Sequence, residues 1–168
     1  YGTVVSNSGT VSATSASLDP VSGRVVFKAL KDVTLDSSSK IEAGGANGGD
    51  IKVQAAGGIL LADGVIDARG ASGKGGSVQL LGDKVGLIGH VDVDVSGGSG
   101  GETVLVGGDF HGSNAGVQNA TRAHVGADAS VKADAIASGE GGKVVVWANE
   151  STSFGGSISA RGGSTAGD

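Results

Sequence analysis

Apolar and polar residues alternate along most of the chain, in short runs that begin just after glycine. Glycine pairs stand at Gly48-Gly49, Gly75-Gly76, Gly100-Gly101 and Gly141-Gly142, and the runs after them read DIKVQA, SVQLLG, ETVLVG and KVVVWA. An earlier run, RVVFKA, follows Gly23. Alternation with a period of two is typical of β-strands, and glycine is too frequent here for helices. The pattern therefore predicts short strands separated by tight corners.

The glycine pairs recur at spacings of 27, 25 and 41 residues, which indicates an internal repeat. Each period also holds a second apolar run, such as GILLAD (58–63), and a third, such as VIDARG (65–70). Three short strands in roughly 26 residues are typical of a parallel β-helix, in which successive coils stack about 4.8 Å apart. The predicted fold class is therefore all-β, a parallel β-helix of about six coils with three short strands each.

The alternation also predicts which side chains fill the coil. Inward positions of the first strands are Val25 and Phe27, Ile51 and Val53, Val78 and Leu80, and Val144 and Val146. Those of the third strands are Ile41 and Ala43, Ile66 and Ala68, Val93 and Val95, Val131 and Ala133, and Ile158 and Ala160. Aliphatic columns of this kind suit a chain with only 3% aromatic residues. Glycine at the corners is expected to supply the positive φ angles of the bends.

The longest period contains roughly 15 extra residues, and we predict that they form a loop insertion at about residues 107–128. Outward positions of the nearby first strands turn apolar, at Leu81, Val104, Val106, Val145 and Trp147. An exposed apolar stripe is a liability in water. We therefore expect the insertion to fold over this stripe.

Composition and charge exclude several classes of function. Lysine and arginine are scattered and the net charge is −5, so the chain has no basic surface typical of nucleic-acid binding. Cysteine is absent, which excludes disulfides and thiolate metal sites. No apolar stretch reaches the roughly 18 residues of a membrane span. Neither a nucleophile motif, a metalloprotease motif nor a phosphate-binding loop occurs, so we predict no catalytic, cofactor-binding or metal-binding residue.

The aromatic and histidine residues near the insertion are the candidate contacts for a glycan or a protein partner: Trp147, Phe110, His111 and His124. Trp147 and Phe154 could stack on a sugar, but packing of Trp147 under the insertion and of Phe154 inside the coil is the favoured interpretation. His111 and His124 are thirteen residues apart, which is not a short metal-ligand spacing, so solvated loop residues are favoured over a metal site.

Two further patterns carry chemistry. Glu42, Asp67 and Asp94 occupy the equivalent outward position of successive third strands, and Lys132 follows them. Such a row resembles the cation-binding rows of β-helical polysaccharide lyases, but a solvated charged face with Arg69 as an ion-pair neighbour is favoured. The sequons at Asn119 and Asn149 would permit N-glycosylation in a secretory context.

Residues 100–163 carry a family resemblance. The run GGDFHG, the polar insertion, the strand GGKVVVWA and the coil FGGSISARGG occur in the order found in the filamentous-haemagglutinin-like exoproteins of bacterial two-partner secretion, the TpsA-type adhesins. The resemblance implies a right-handed parallel β-helix that an outer-membrane translocator exports to the cell surface or the medium. Many such proteins adhere to host cells, to other bacteria or to biofilm polysaccharide.

Taken with the repeat, this resemblance suggests a structural and adhesive stalk module. Residues 1–168 are interpreted as one segment of a longer filament whose neighbouring coils stack on it, because neither end shows the polar cap of a terminal repeat. The expected partners are the translocator and a glycan or exopolysaccharide. Two alternatives stay open, a carbohydrate-active β-helix enzyme of the polysaccharide-lyase kind and the stalk of a two-partner-secretion toxin.

Overall fold

A computed structural model describes residues 2–13 and 23–165. Fifteen strands follow one another in these ranges, and the described residues contain no α-helix. The strands are β1 (Val5–Asn7), β2 (Thr10–Ser12), β3 (Arg24–Ala29), β4 (Val33–Leu35), β5 (Lys40–Glu42), β6 (Asp50–Ala62), β7 (Val65–Asp67), β8 (Ser77–Leu87), β9 (Asp92–Asp94), β10 (Thr103–Val106), β11 (Arg122–Val125), β12 (Ser130–Lys132), β13 (Lys143–Val146), β14 (Ser151–Phe154) and β15 (Ser157–Ser159).

All strand pairs are parallel and form three ladders along the axis of a β-helix. The first ladder runs β3-β6-β8-β10-β13, the second β1-β4-β6-β8-β11-β14 and the third β2-β5-β7-β9-β12-β15. Strands β6 and β8 belong to two ladders because each continues around a corner. These pairings confirm the predicted all-β parallel β-helix.

The number of coils differs from the prediction. The described residues form five complete turns, namely turn 1 (β3–β5), turn 2 (β6–β7), turn 3 (β8–β9), turn 4 (β10–β12) and turn 5 (β13–β15). The prediction of about six coils is wrong because β1 and β2 form only a partial turn, which pairs with β4 and β5.

The interior of the coil is a set of aliphatic columns that follow the ladders. In the first ladder, Ile51, Val78 and Val104 lie in register and are buried. The third ladder stacks Ile41, Ile66, Val93 and Val131, as the alternation predicted. Each fully buried side chain of this size stabilises the fold by about 1.5–3 kcal/mol, so each added turn contributes apolar burial on all three faces.

The facing of one strand was predicted wrongly. Val104 and Val106 are 0% exposed and point into the coil, because they pair with the inward residues Val78 and Leu80. The outward residue of this strand is Leu105, which pairs with Gln79. Three consecutive apolar residues in ETVLVG give no alternation, so the sequence does not show which of them point into the coil.

Turn 5 continues the columns of the turns beneath it. Phe154 lies in register with the buried Val125, so it continues the inward column of the second ladder. Its side chain is 45% exposed, however, so the expected packing of Phe154 inside the coil is not found, and Ile158 above Val131 is also 45% exposed. No described turn lies beyond them to cover these two side chains.

The glycine pairs serve a different purpose from the one predicted. Only Gly100 among the eight paired glycines has a positive φ, of 155°. At the other seven the backbone of a neighbouring turn lies too close for a side chain. A Cβ would overlap a carbonyl oxygen at Gly48 (Ala68), Gly49 (Gly23), Gly75 (Val95), Gly76 (Gly49), Gly101 (Ala133), Gly141 (Ala160) and Gly142 (Glu102). Positive φ is instead needed at the corners before the third strand, at Gly64 (77°) and Gly89 (57°).

This close approach predicts a strong effect of a single methyl group. We expect Gly76→Ala to lower the free energy of unfolding by about 1–3 kcal/mol, because the turns must separate locally to admit the Cβ. The matched control is Gly155→Ala, where a Cβ would have only ordinary contacts at 3.6 Å. Urea unfolding followed by circular dichroism measures both variants, and equal midpoints would contradict this role of the glycine pair.

Candidate functional site

A second apolar cluster lies outside the coil, on the outer side of the first ladder. It consists of Leu81, Leu105, Val117 and Val145, with Trp147 packed against it. We call it the outer cluster. Four of its members project outward from β8, β10 and β13 or the residue after β13, and Val117 comes from the insertion. The expectation that the insertion covers this stripe is therefore confirmed, with Leu105 in place of Val104 and Val106.

The two ends of the insertion are hydrogen-bonded to each other where it leaves the coil and returns to it. At its base the backbone N–H of Ala120 donates to the carbonyl of Gly107, and that of Thr121 donates to Asp83 of turn 3. Of the predicted range 107–128, residues 122–125 form β11 and pair with β8 and β14. The residues outside the coil therefore run from 107 to 121 and form a compact surface loop.

Hydrogen bonds from Gln118 carry the insertion across to turn 2. Its side chain accepts a bond of 2.9 Å from Gln54 Nε2, and its Nε2 donates to the carbonyl of Ala56 at 3.1 Å. The loop thus crosses the outer cluster from turn 4 toward turn 2. It lies on the solenoid wall instead of projecting from it.

Two glycines make room for Trp147 beneath the insertion. A Cβ at Gly108 would lie 2.9 Å from Trp147 Cδ1, and one at Gly112 would lie 2.9 Å from Nε1. These distances are shorter than side-chain contacts normally allow, so the indole edge packs directly on the loop backbone. Its Nε1 donates to Asn149 Oδ1 at 3.3 Å. The ring is half-buried, with one edge held by the insertion.

Three rings converge at this position. His111 and Trp147 are nearly parallel, with centroids 5.9 Å apart and an interplanar angle of 16°. Phe110 meets His111 edge to face at 4.1 Å and is itself 60% exposed. His111 has φ 56° and is the only described residue other than glycine with a positive φ. Such a conformation costs on the order of 1–3 kcal/mol, which the surrounding loop must offset.

Asp109 anchors the short 3₁₀ turn of Phe110–Gly112. Its carboxylate accepts hydrogen bonds from Asn114 Nδ2 at 3.0 Å, from the backbone N–H of Phe110 at 2.7 Å and from Lys143 Nζ at 3.0 Å. These donors, with Asn114 contributing most, lower the pKa of Asp109 from 3.8 to about 2. In its ionised form, this carboxylate therefore links the loop that carries Phe110 and His111 to β13.

The two sequon asparagines both lie around Trp147. Asn119 is half-buried, its Nδ2 donates to the carbonyl of Gly112, and its Oδ1 is buried without a described partner. Asn149 is exposed and accepts from the indole. N-glycosylation at either position stays a prediction.

His124 lies apart from this group. It points outward from β11 on the second ladder, in register with Gly86 and Ser153. Of the four candidate contacts, the structure brings together Phe110, His111 and Trp147. Sequence reasoning missed Leu105 and Val117 as members of the outer cluster, and also Asp109 with Lys143. The only signal for the last pair was the opposite charge of two residues 34 positions apart.

The acidic row forms in register but is engaged by neighbouring groups. Glu42, Asp67 and Asp94 stack on the third ladder with Lys132 above them. Lys40 pairs with Glu42 at 2.7 Å, and Arg69 pairs with Asp67 at 2.6 Å, as predicted for Arg69. Burial opposes ionisation of Asp67, but the hydrogen bonds and charge of Arg69 outweigh it and lower its pKa. In the described ranges no three His, Asp or Glu side chains are arranged to hold a metal ion.

Comparisons with known proteins give a likeness at the level of the fold. No protein-family model matches the sequence, and no curated protein matches it either. The fold is similar to the crystal structure of the HMW1 secretion domain from Haemophilus influenzae, with a TM-score of 0.56 and 25% identity. The match covers 84% of this chain and 41% of that one, so this chain spans less than half of the matched structure. None of the described helical segments is long and apolar enough to cross a membrane.

Removing the contact between insertion and stripe should expose the indole. Val117 is 9% exposed and is the insertion's member of the outer cluster. Val117→Ala should weaken docking of the loop by about 1–2 kcal/mol through lost apolar burial. Because Trp147 is the only tryptophan, its emission should shift to longer wavelength and its quenching by acrylamide should increase. Ala115→Ser, at an exposed position of the same loop, is the control, and unchanged emission in Val117→Ala would refute the packing role.

Acid should loosen the insertion before it unfolds the coil. The folded-state pKa of Asp109 is about 2 and the ordinary value is 3.8. The stabilisation that its ionised form provides is therefore complete above about pH 4 and is lost as pH falls toward about 2. Trp147 emission should shift over this interval while far-ultraviolet dichroism of the strands persists. In Asp109→Asn the shift should already be present at neutral pH and vary little with acid, whereas identical titrations of the two proteins would contradict the assignment.

Proposed function

We propose that this chain is a structural and adhesive module of a bacterial surface protein, a rigid β-helical stalk exported by two-partner secretion. One observation carries the proposal: three parallel ladders run through all five described turns, so each strand of the inner turns is hydrogen-bonded to a strand of the turn above and to one of the turn below. A solenoid of this kind extends by adding turns and keeps its shape without a thick core. These are the properties that a spacer on a cell surface needs.

Export through an outer-membrane translocator is supported by two independent likenesses. Residues 100–163 resemble the filamentous-haemagglutinin-like exoproteins in the order of their motifs. The fold is similar to a structure whose name describes a secretion domain. The proposed partner is therefore a two-partner-secretion translocator, and the proposed location is the exterior of the outer membrane or the medium.

The adhesive part of the proposal rests on the surface of the coil. The third ladder presents charged side chains that are paired with one another, as in Lys132 with Asp92 and Arg161 with Asp134. Such a face is well solvated and resists lateral association between coils. The outer side of the first ladder differs, since it carries the insertion and its exposed rings. Attachment to host cells, to other bacteria or to biofilm polysaccharide is therefore proposed to use that side.

Secretion from a Gram-negative host tests the export proposal. The polypeptide that carries this chain is expressed with and without an outer-membrane translocator of the two-partner-secretion type. We expect it in the medium or protease-accessible on intact cells only when the translocator is present, and in the periplasm otherwise. A translocator with a disabled pore is the control. Equal distribution in both strains would refute two-partner export.

A further inference from the structure

We propose that Phe110, His111 and Trp147 form a binding surface for an uncharged sugar ring, an inference that rests on the adhesive function proposed above. The surface lies at the tip of the insertion, on the outer side of the first ladder. It is a composite of two parts of the chain, because Phe110 and His111 come from the loop and Trp147 follows β13.

Aromatic residues are concentrated at this surface far beyond their frequency in the chain. The sequence has one Trp, one Tyr and three Phe in 168 residues, yet one Trp and one Phe meet here around a histidine. The outer cluster is complete without Phe110, since it consists of Leu81, Leu105, Val117 and Val145 with Trp147 packed against them. Phe110 adds nothing to that cluster and is 60% exposed. An exposed apolar ring on an otherwise polar loop marks an interaction surface.

The ring geometry suits a sugar. Pyranose rings present a face of C–H groups, which packs on the flat face of an aromatic ring, while their hydroxyl groups require hydrogen bonds at the edge. Phe110 stands at 61° to His111, which gives an angled platform instead of a flat one. Polar groups border it, with Ser113 and Asn114 exposed on the loop and Asn149 exposed beside the indole. A mainly apolar surface with a few polar groups at its edge is typical of small-ligand sites.

Charge selects the class of sugar. Asp109 is adjacent to Phe110 and forms an ion pair of 3.0 Å with Lys143. The pair satisfies both groups, so Lys143 is not free to bind a uronate or a sulfate. An acidic sugar would bring its charge close to the Asp109 carboxylate, whose lowered pKa keeps it ionised. A neutral hexose avoids this repulsion.

The loop holds the rings in place in advance. His111 occupies a left-handed conformation between Phe110 and the positive-φ Gly112, and Gly108 and Gly112 allow the indole to approach the backbone. Residues held in such conformations cluster at binding sites, where the surrounding structure fixes them. A platform fixed before binding loses little conformational entropy when the ligand arrives.

Binding of defined oligosaccharides tests the proposal. The chain is titrated with neutral glucose, galactose and mannose tetrasaccharides and with a galacturonate tetrasaccharide, using Trp147 emission and saturation-transfer NMR. We expect at least one neutral sugar to bind and the uronate to bind more weakly. Phe110→Ala and His111→Gly should each reduce affinity by about two- to tenfold through the lost ring contact. Glycine tolerates the φ of 56° at position 111, so the second variant keeps the loop conformation.

Phe154→Ala is the matched control, because Phe154 is an exposed ring at 45% on β14, away from the insertion, and its removal should leave affinity unchanged. Neutral-sugar binding that Phe110→Ala does not weaken, tighter binding of the uronate, or no binding of any sugar would each overturn the proposal. Export of Phe110→Ala is measured in parallel and should equal that of the wild type. If the wild-type chain binds none of the sugars but is still exported only with the translocator, this surface is rejected and the stalk proposal stands.

Discussion

The backbone hydrogen bonds between one turn and the next are the interaction on which the rest of the structure depends. They fix the spacing of the turns at about 4.8 Å and align each residue with its counterpart above and below. A column must therefore hold residues of compatible size, as Ile41, Ile66, Val93 and Val131 do. The same spacing forces glycine where two turns touch at a corner, since a Cβ at Gly76 would overlap the carbonyl of Gly49.

The insertion is held in place by side-chain interactions, whereas the coil is held together by backbone hydrogen bonds. The insertion's backbone hydrogen bonds are mainly within the loop, and its two ends are joined by the bond from Ala120 to Gly107. The first ladder therefore continues beneath the loop without interruption. What holds it down is side-chain chemistry: apolar contact at Val117, the ion pair of Asp109 with Lys143, and the bond from Gln54 to Gln118. The coil can therefore remain a regular scaffold while the loop carries the distinctive surface.

The repeat could be predicted from the sequence because the ladders impose a period on composition. Glycine pairs and alternating aliphatic residues revealed the β-helix, the third-ladder columns and the partnership of Arg69 with Asp67. The sequence could not show which residues of Val104-Leu105-Val106 face the interior. Both sides of that strand are apolar, because Val104 and Val106 belong to the core and Leu105 belongs to the outer cluster. The count of turns was too high because β1 and β2 form only a partial turn. Contacts within the site, such as His111 on Trp147, depend on loop geometry that no period encodes.

The hydrogen bonds of Gln118 connect turns that are not neighbours, which changes how stability is distributed along the solenoid. In a simple stack each repeat contacts only its neighbours, so turns can open one after another from an end. The insertion joins turn 4 to turn 2 through Gln118 and Gln54, to turn 3 through Thr121 and Asp83, and to turn 5 through Asp109 and Lys143. Opening any one of these turns disturbs contacts with the others. We therefore expect turns 2 to 5 to open together, and opening that starts at turn 1 to meet a barrier at turn 2.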